Sequence, residues 1–393
     1  MQNTGIKDRV AIIGMGCTRF GERWELSTED LIVDAAWEAF EDAGIEPKDI
    51  QAGWVGTTSS GVRGTTLSCP LKLEYVPITR VENACATATD TFRNACYAVA
   101  AGLYDIVLAL GVEKLKDSGY AGLAPFRPIS SRVEPPVPPP VQFALAATRY
   151  FHHYGLSYEE GKRILAQIAM KNHHNGTLNP KAHLRREISI EQAMNAPMIA
   201  YPLGLFDCCG VSDGAAAAII TRADLAKNFN KDYILVKGLS VACGAAQAGL
   251  QDNYDFVHFQ ETVMAGKMAY QEAGINNPRE EIDMAEVHDC FTITEMLIYE
   301  DLGFSLRGRA REDVESGFFT LEGGLAVNTD GGLKCFGHPV GASGIRMIYE
   351  VYKQLQGKAG PRQLQKADIG LTHNLGGLPG QFTCAVSILG RGS

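Results

Sequence analysis

One cysteine stands where a thiol could act as a nucleophile. Cys85 lies just before a predicted helix of small and apolar residues, in the segment VENACATATDTFRNACYAVAAG. The amides at a helix N-terminus carry partial positive charge, which stabilises a thiolate and can lower the pKa of the thiol. The sequence therefore predicts Cys85 as a nucleophile with a lowered pKa. The alternative is an inert buried thiol.

Two more segments carry groups that could exchange protons with this nucleophile. His288 and Cys290 occur together in VHDCF, at the end of a predicted strand. His338 lies in GHPVG, a glycine-rich loop that opens another predicted helix. Imidazole and thiol groups can serve as general acids and bases. These three residues and Cys85 form a candidate active site to which both halves of the chain contribute.

Other motif matches are weaker. Residues 210–214 match G-x-S-x-G, the nucleophile elbow of hydrolases, with Ser212 as the nucleophile. The following AAAAIITRADLA predicts a strand and a turn where the elbow requires a helix, so a Ser212 hydrolase is the least favoured alternative. Gly14 and Gly16 follow a strand, but Arg19 occupies the third glycine position of the dinucleotide fingerprint. No C-x-x-C pair occurs, and no metal site is predicted.

Composition narrows the class of protein. The 393 residues carry a net charge of −9, which repels a phosphate backbone, so we do not expect nucleic acid as a partner. The 10 cysteines with no signal peptide ahead of them predict a reduced, cytoplasmic protein. The longest apolar stretch, 95–112, is broken by Gly102 and Asp105 into a helix and a strand, so no membrane association is predicted.

The elements that must position the candidate residues occur in two copies. RVAIIGMG leads through a helical stretch to EDAGI at 41–45, and YILVKGLS leads in the same way to QEAGI at 271–275. A second pair is formed by DIVLALGVE at 105–113 and DIGLTHNLGG at 368–377. A repeat of about 150 residues predicts two related α/β halves, against the alternative that any two βαβ stretches look alike.

The nearly continuous apolar runs predict strands that are covered on both faces and connected in parallel by helices. The predicted N-terminal half comprises 1–113 and 187–230, and the C-terminal half comprises 231–393. Residues 114–186 form a predicted inserted loop domain, with a stiff polyproline stretch at 133–141 and amphipathic helices around 141–153 and 157–173. This insertion is basic within an acidic chain, so it could bind a phosphorylated coenzyme, with Arg127, Arg132 and Arg185 as candidates.

Taken together, these segments resemble the thiolase family, specifically its sterol-carrier-protein-2 branch. The similar segments are ENACAT around Cys85, HDCF at 288–291, GGLKCFGHPVGASG at 331–344, HNLGG at 373–377 and YPLGLFDCCGVSDGAAA at 201–217. The last of these accounts for the G-x-S-x-G match without a hydrolase. The resemblance covers residues 9–389. It implies an α/β thiolase fold of two duplicated βαβαβαββ halves, layered α-β-α-β-α, with an inserted loop domain.

The resemblance also implies a role for each candidate. Cys85 resembles the nucleophile that takes the acyl group as a thioester, and His338 resembles the base that removes its proton. Cys290 resembles the second cysteine, which moves a proton to or from the α-carbon. His288 would join His338 in binding the thioester oxygen as it becomes enolate-like. The implied reaction is cleavage of a 3-oxoacyl-CoA with CoA as co-substrate.

The C-terminal loop departs from the pattern of other thiolases. These carry C-x-G where this chain has His373 to Gly376, so the reaction would depend on Cys290. The loop containing Asn374 and Gly376 would still bind the oxygen of the acyl group, together with the amide of Cys85. Because a preorganised donor is needed wherever charge develops on oxygen, these positions are expected to matter for rate.

The family resemblance implies partners and alternatives as well. The segment around Pro379 and the 133–141 loop resemble bacterial and archaeal thiolase-like subunits that work with a small partner containing an OB-fold and often a zinc ribbon. That group includes thiolases, retro-aldolases and enzymes of bulky aromatic or steroid acyl-CoA esters, such as benzoylsuccinyl-CoA thiolase. The aldolases tend to lack the nucleophilic cysteine, so Cys85 favours thiolysis or Claisen condensation. A homodimer is implied too, and a non-catalytic acyl-CoA-binding scaffold is a further alternative.

Overall fold

The structure, a computed structural model, describes residues 5–118, 138–250 and 254–392. Its strands are β1 (Val10–Cys17), β2 (Ala52–Gly56), β3 (Ile78–Val81), β4 (Ile106–Glu113), β5 (Met198–Ala200), β6 (Leu203–Gly204), β7 (Gly214–Arg222), β8 (Ile234–Cys243), β9 (Met284–Glu286), β10 (Ala326–Val327), β11 (Ile369–Gly376) and β12 (Thr383–Arg391). Its helices are α1 (Thr28–Ala43), α2 (Thr65–Leu71), α3 (Thr87–Ala100), α4 (Pro139–His153), α5 (Tyr158–Thr177), α6 (Ile190–Met194), α7 (Gln247–Leu250), α8 (Gln260–Ala273), α9 (Pro278–Glu281), α10 (Thr292–Asp301), α11 (Ala310–Glu315), α12 (Gly332–Cys335) and α13 (Ser343–Leu355).

The two halves share one order of elements, as the internal repeat predicts. The N-terminal half contains β1 to β4 and ends with β7, and the C-terminal half contains β8 to β12. In each half, three strand-helix units are followed by two strands. Ten strands form one sheet in the order β10-β9-β11-β12-β8-β1-β7-β4-β2-β3, and the halves meet where β1 pairs with β8. The sheet is mixed: β2 and β4 pair in parallel, whereas β7 and β12 pair antiparallel with their neighbours because they close each half.

Helices cover the strands in layers. α3 and α13 contact each other and contact strands of both halves, so they form a central layer. α1 packs on β1 and β7 from outside, and α8 packs on β8 and β12. This is the five-layered α-β-α-β-α arrangement of the thiolase fold, and it confirms that part of the sequence analysis. Strands enclosed in this way have almost no exposed residues, which explains their continuous apolar runs.

Local sequence signals set the ends and the spacing of α1. Ser27 accepts a hydrogen bond from the amide of Asp30 and the Asp30 side chain returns one, which is a capping box. Gly44 ends the helix in the left-handed conformation, with a φ of 69°. A Cβ on Gly14 would lie 2.5 Å from the Ala39 oxygen, so the glycine in β1 lets strand and helix approach closely. Helix packing thus accounts for the glycines that resemble a dinucleotide fingerprint.

Two long helices occupy the described part of the predicted insertion. α4 and α5 follow the predicted segments closely, and α5 begins with a capping box formed by Ser157 and Glu160. The polyproline prediction is wrong for 139–141, because Pro139 and Pro140 start α4, where the fixed φ of proline suits the first helical turn. Residues 133–137, Arg127 and Arg132 lie outside the described residues. Across the parts of the chain that the structure describes, no helix combines the length and apolarity of a membrane span.

Candidate active site

The structure brings together three residues that are far apart in the chain. The Cys85 sulfur and one ring nitrogen each of His288 and His338 all lie within 4.8 Å of one another. The two imidazole rings meet edge to face, with centroids 5.5 Å apart and an angle of 82°. All three side chains are buried, and Cys85 is 7% exposed. The predicted cluster of a thiol and two imidazoles therefore exists as a compact, nearly dry site.

Cys85 sits in a tight turn between β3 and α3. Ala84 has a φ of 49°, in the left-handed region that a residue with a side chain rarely adopts. Polar contacts hold the turn: the Asn83 amide donates to Thr87 Oγ1 at 2.8 Å, and the Ala84 amide donates to Glu82 Oε1 at 2.7 Å. A backbone conformation that is strained in this way persists only where surrounding contacts hold it in place. Such conformations are common at functional sites.

The protonation of Cys85 differs from the sequence-based prediction. Burial raises the pKa of the Cys85 thiol to about 12, and the stabilising effect of its own amide is smaller than this desolvation. The predicted lowering of the pKa is therefore wrong for the free protein. The helix N-terminus is present, since α3 starts at Thr87, but the thiolate would lose its hydration in this site. With its pKa raised in this way, Cys85 is a neutral thiol near pH 7.

A hydrogen bond to Ser343 fixes the orientation of the His338 ring. The Ser343 hydroxyl donates to the Pro339 oxygen at 3.0 Å, so it accepts a hydrogen bond from His338 Nδ1 at 2.8 Å. This places the ring proton on Nδ1 and leaves Nε2 with a free lone pair. Nε2 is buried and has no hydrogen-bond partner among the described residues. Burial lowers the pKa of His338 to about 3, so the imidazole is neutral at rest.

His288 faces His338, and both residues belong to the C-terminal half. It follows β9 and is 2% exposed, and its Nδ1 has no hydrogen-bond partner within the described part of the chain. Burial is the main cause that lowers the pKa of His288 well below its usual value, and the positive charges that His338 and Arg346 can carry add to this effect. Both imidazoles are therefore neutral. Each ring has one nitrogen that can donate a hydrogen bond and one that can accept a hydrogen bond or a proton.

Cys290 lies beside this cluster, immediately before α10. It is 5% exposed, and its Sγ lies 3.8 Å from Thr294 Oγ1. Its carbonyl accepts a hydrogen bond from the Cys209 amide at 2.8 Å. Burial raises the pKa of the Cys290 thiol well above its usual value, and nearby Cys209 and Cys85 raise it further. Cys290 is therefore a protonated thiol, and Cys209 is a neighbouring thiol that the sequence analysis did not single out.

The C-terminal loop, which contains Asn374 and Gly376, packs directly against the nucleophile turn, the turn that carries Cys85. A Cβ on Gly376 would lie 2.1 Å from the Asn83 oxygen and 3.0 Å from the Cys85 amide nitrogen. The Gly376 backbone therefore touches the backbone of the Cys85 turn. Asn374 accepts a hydrogen bond from Thr89 Oγ1 at 2.6 Å, which ties β11 to α3. The Asn374 Nδ2 is buried without a partner among the described residues.

A buried carboxylate that the sequence analysis missed holds two loops at the site. Glu113, at the end of β4, accepts hydrogen bonds from the amides and hydroxyls of the loop 57–60, including Ser60 Oγ at 2.7 Å. It also accepts one from the Gly341 amide at 3.1 Å, in the loop that carries His338. The only sequence signals are a glutamate that ends an apolar strand and the polar run TTSSG.

A second missed group lies beneath the histidines. Arg346 of α13 is fully buried and pairs with Glu286 at 2.8 Å and with Asp330 at 2.6 Å. Its charge contributes to the lowered pKa of His338. The sequence offers no signal for this ion pair, because a charged residue on a helix is exposed in most proteins.

A cavity of about 770 Å³ opens next to the site. Phe291 and Cys209 connect it to Cys290, and Lys334 lies in its wall. Arg185, one of the predicted coenzyme-binding residues, lines the same cavity with the neighbouring Arg186. The structure thus places a basic rim and an apolar interior next to Cys290, an arrangement that suits an anionic ligand with a long neutral arm.

The competing motif has a different surrounding. Ser212 is fully buried, and its Oγ lies 2.9 Å from His183 Nδ1. Gly214, the last residue of the motif, starts β7, so the strand-turn-helix geometry of the hydrolase elbow is absent at this position. Instead, this segment packs under the His338 loop, since a Cβ on Gly337 would lie 2.7 Å from Ser212 Oγ.

The sequence matches the thiolase N-terminal domain over residues 10–224 and the thiolase C-terminal domain-like family over residues 243–391. The chain belongs to the thiolase family. This membership makes the protein an acyltransferase. The first match ends just after β7 and the second begins at the last residue of β8, so each match covers most of one half of the repeat.

Similar proteins carry more specific names. An acetyl-CoA acetyltransferase of Methanothermobacter thermautotrophicus is 39% identical, with 97% of this chain and 99% of the relative aligned. Benzoylsuccinyl-CoA thiolase subunit BbsB of Thauera aromatica is 32% identical over 95% of this chain and 96% of the relative. Among solved structures, the Ltp2-ChsH2(DUF35) aldolase is 25% identical with a TM-score of 0.85, over 98% of each chain.

Proposed function

We propose that the protein cleaves a 3-oxoacyl-CoA with CoA through an acyl-enzyme on Cys85, and that it can run the reverse condensation with the same groups. The observation that carries the proposal is the buried cluster of Cys85, His288 and His338, whose reactive atoms lie within 4.8 Å. A thiol beside a neutral imidazole with a free lone pair is a nucleophile and base pair. Membership in an acyltransferase family gives this pair its reaction class.

In the first half-reaction, Cys85 Sγ attacks the 3-keto carbon while His338 Nε2 takes the thiol proton. The bond between C2 and C3 then breaks, the acyl group stays on sulfur, and the acyl-CoA enolate leaves. The protonated Nε2 of His338 donates a hydrogen bond to the enolate oxygen together with His288. Cys290 gives its thiol proton to C2. The enolate thereby becomes a stable acyl-CoA, and Cys290 is left as a thiolate.

In the second half-reaction, the thiolate of Cys290 takes the proton of the incoming CoA thiol. The CoA sulfur attacks the thioester, and Cys85 leaves and recovers its proton from His338. The amides of Cys85 and Gly376 would stabilise the negative charge on the acyl oxygen in both steps. Each such donor contributes about 3–4 kcal/mol to transition-state stabilisation in enzymes of this type.

The resting protonation states support this order of events. A thiol with a pKa of about 12 beside an imidazole with a pKa of about 3 does not form an ion pair before substrate binds. Proton transfer must therefore accompany attack on the carbonyl carbon, where the new negative charge moves to an oxygen with amide donors. The same burial protects the carbanion equivalent from water.

For the acyl group, we propose a range that extends from acetyl to bulky or aromatic chains such as that of benzoylsuccinyl-CoA. The relatives named acetyl-CoA acetyltransferase support a small acyl group such as acetyl. The relative named benzoylsuccinyl-CoA thiolase subunit supports a bulky aromatic acyl group. The cavity of about 770 Å³ beside Cys290 could hold a large acyl group or the arm of CoA. CoA phosphates would bind at the basic rim formed by Arg185 and Arg186.

We propose two partners, a second copy of the chain and a small OB-fold subunit. β3 is the last strand of the sheet, so its outer edge could pair with the same edge of another copy. The small subunit is supported by the similarity to the Ltp2-ChsH2(DUF35) aldolase, whose name joins two components, and by exposed apolar side chains. These side chains are Val141 and Leu145 of α4 and Met198, Ile199, Tyr201 and Leu205 near the β5-β6 hairpin.

The ten unpaired thiols support a cytoplasmic location.

Peptide mass spectrometry tests the acyl-enzyme directly. Cleavage at Arg80 and Arg93 releases residues 81–93, which contain Cys85 as their only cysteine. After incubation with acetyl-CoA and with an aromatic acyl-CoA, we expect acyl mass on this peptide, and we expect Cys85→Ala to lose it. The matched control is Cys96→Ala, which removes a buried thiol on α3 outside the cluster and should leave the adduct unchanged.

Each alternative gives a different result in the same experiment. A Ser212 hydrolase would carry the acyl mass on the peptide 187–222. A retro-aldolase would leave Cys85 without acyl mass, and it would release a carbonyl product when a 3-hydroxyacyl-CoA is added. A non-catalytic scaffold would bind the esters and leave all peptides and all substrates unchanged. Full turnover by Cys85→Ala would overturn the assignment of the nucleophile.

A further inference from the structure

The cluster at the candidate active site is also a set of metal ligands. A thiolate and two imidazoles are ligands that Zn²⁺ prefers, and three protein ligands with water in the fourth position are a common arrangement in zinc sites that are open to solvent or substrate. The three atoms of Cys85, His288 and His338 lie within 4.8 Å of one another. In a tetrahedral zinc site, ligand atoms lie about 3.3–3.8 Å apart. Side-chain rotations that shorten these separations by about 1 Å would complete the coordination.

A second observation points to a ligand at this position. His338 Nε2 is fully buried and has no hydrogen-bond partner among the described residues, although buried polar atoms are normally paired. Its other nitrogen, Nδ1, is held by Ser343 Oγ at 2.8 Å. Zinc-bound histidines are oriented in this way, by a hydrogen bond from the ring nitrogen that does not bind the metal. His288 Nδ1 is likewise buried and unpaired in the described part of the structure.

We propose that Cys85, His288 and His338 bind one Zn²⁺ ion, with water as the fourth ligand, and that the bound ion blocks acyl transfer. On binding, the Cys85 thiol releases one proton to solvent, and its sulfur and the two imidazole nitrogens donate electron pairs to the metal. No electron is transferred. The blocked state follows from the same atoms, because sulfur bound to zinc cannot attack a carbonyl and the bound Nε2 of His338 cannot accept a proton.

The charges around the cluster are compatible with a cation. Glu113 is buried and accepts a hydrogen bond from the Gly341 amide at 3.1 Å, in the loop that carries His338, so a carboxyl group lies close to the cluster. Arg346 opposes the ion, but its charge is paired with Glu286 and Asp330. The binding site for the ion on His338 is the ring nitrogen that has no partner among the described residues, and a neutral imidazole is the form that binds metal.

The sequence analysis predicted no metal site, and the reason is the distance between the ligands along the chain. Zinc motifs are recognised by cysteines and histidines a few residues apart, whereas these three come from the turn before α3, the end of β9 and the loop before α13. Metal binding depends on the geometry of the cluster alone, so it goes beyond the proposed acyl transfer and does not require it.

Cobalt substitution tests the site without an activity assay. Co²⁺ is added to the full chain in the absence of CoA, because the CoA thiol itself binds these metals. We expect one Co²⁺ per chain, with a thiolate-to-cobalt charge-transfer band in the near ultraviolet and the strong visible bands of four-coordinate cobalt. Zn²⁺ should remove these bands by displacement. Cys85→Ser should lose the charge-transfer band, and His338→Ala should weaken binding at least tenfold, or about 1.4 kcal/mol.

Control variants separate this site from other thiols and from unfolding. Cys96→Ser keeps every proposed ligand and should show the complete cobalt spectrum. Circular dichroism of each variant verifies that the fold is retained. An unchanged charge-transfer band in folded Cys85→Ser would overturn the proposal, and so would wild-type protein that binds no Co²⁺ at micromolar concentration.

An inhibition experiment connects the site to acyl transfer. Zinc in excess over released CoA should prevent acyl mass on the peptide 81–93, EDTA should restore it, and Mg²⁺ should have no effect because it prefers oxygen ligands. Full acylation of Cys85 with zinc bound would overturn the blocking role. If the protein binds Co²⁺ through Cys85 but is never acylated, the metal site stands and the proposed acyl transfer fails.

Discussion

Replacing Gly376 with alanine perturbs the predicted binding of the acyl oxygen. The added Cβ would lie 2.1 Å from the Asn83 oxygen and 3.0 Å from the Cys85 amide nitrogen. A carbon and an oxygen normally approach to about 3.3 Å, so the C-terminal loop and the nucleophile turn must separate by about 1 Å. A displacement of this size in a catalytic group costs about a hundredfold in rate. Loss of an oxyanion donor costs about 10²–10³ in kcat, so we expect a fall within that range.

The assay is steady-state cleavage of a 3-oxoacyl-CoA, with stability measured in parallel by urea unfolding. Overpacking of this kind destabilises proteins by about 1–3 kcal/mol, which leaves a folded enzyme to study. The matched control is Gly390→Ala on β12, where the new Cβ would meet the flexible end of Lys237 at 2.6 Å, away from the site. We expect its kcat to be unchanged. A folded Gly376→Ala protein with wild-type kcat would refute the assignment of an oxygen-binding role to this loop.

Three further predictions concern the protonation and the support of the site. Because burial raises the pKa of Cys85 to about 12, its alkylation by iodoacetamide should accelerate about tenfold per pH unit from pH 7 to 10, and a plateau near pH 9 would contradict this. Cys290→Ser should still form the acyl adduct on Cys85 from acyl-CoA, while 3-oxoacyl-CoA cleavage falls by about 10²–10⁴, and unimpaired cleavage would remove Cys290 from the mechanism. Arg346→Met leaves Glu286 without its ion-pair partner, so urea unfolding should show a loss of about 3–5 kcal/mol, and an unchanged unfolding midpoint would argue against a structural role.

The parts of the site that could be read from the sequence have short-range signals. Cys85 precedes a helix of small residues, His288 and Cys290 share one strand end, and His338 lies in a glycine-rich loop. Each signal depends on a few neighbouring residues, and the repeat indicates that two α/β halves present them. The structure brings Cys85 and the two histidines into one buried cluster, as the sequence analysis expected.

The parts that could not be predicted depend on groups that are distant in the chain. Glu113 connects the loop at 57–60 to the His338 loop. No local sequence pattern predicts that this carboxylate accepts hydrogen bonds from both loops. Arg346 is a charged residue on a helix, and the sequence analysis did not single it out. Arg346 is buried because α13 lies between the strands of both halves, and this packing is a tertiary feature.

By itself, the amino-acid sequence determined the duplicated α/β architecture and the candidate nucleophile, because the repeat and local motifs encode these features. Its motifs also carry the resemblance to the thiolase family, and that resemblance implies which residues act as base and proton donor. Only the tertiary structure decided the protonation of Cys85, the tautomer of His338 and the proximity of three metal-binding atoms. A helix N-terminus favours a thiolate, but the loss of water around a buried sulfur is the larger effect. Desolvation is a property of everything packed around an atom, so it cannot be read from the residues next to it.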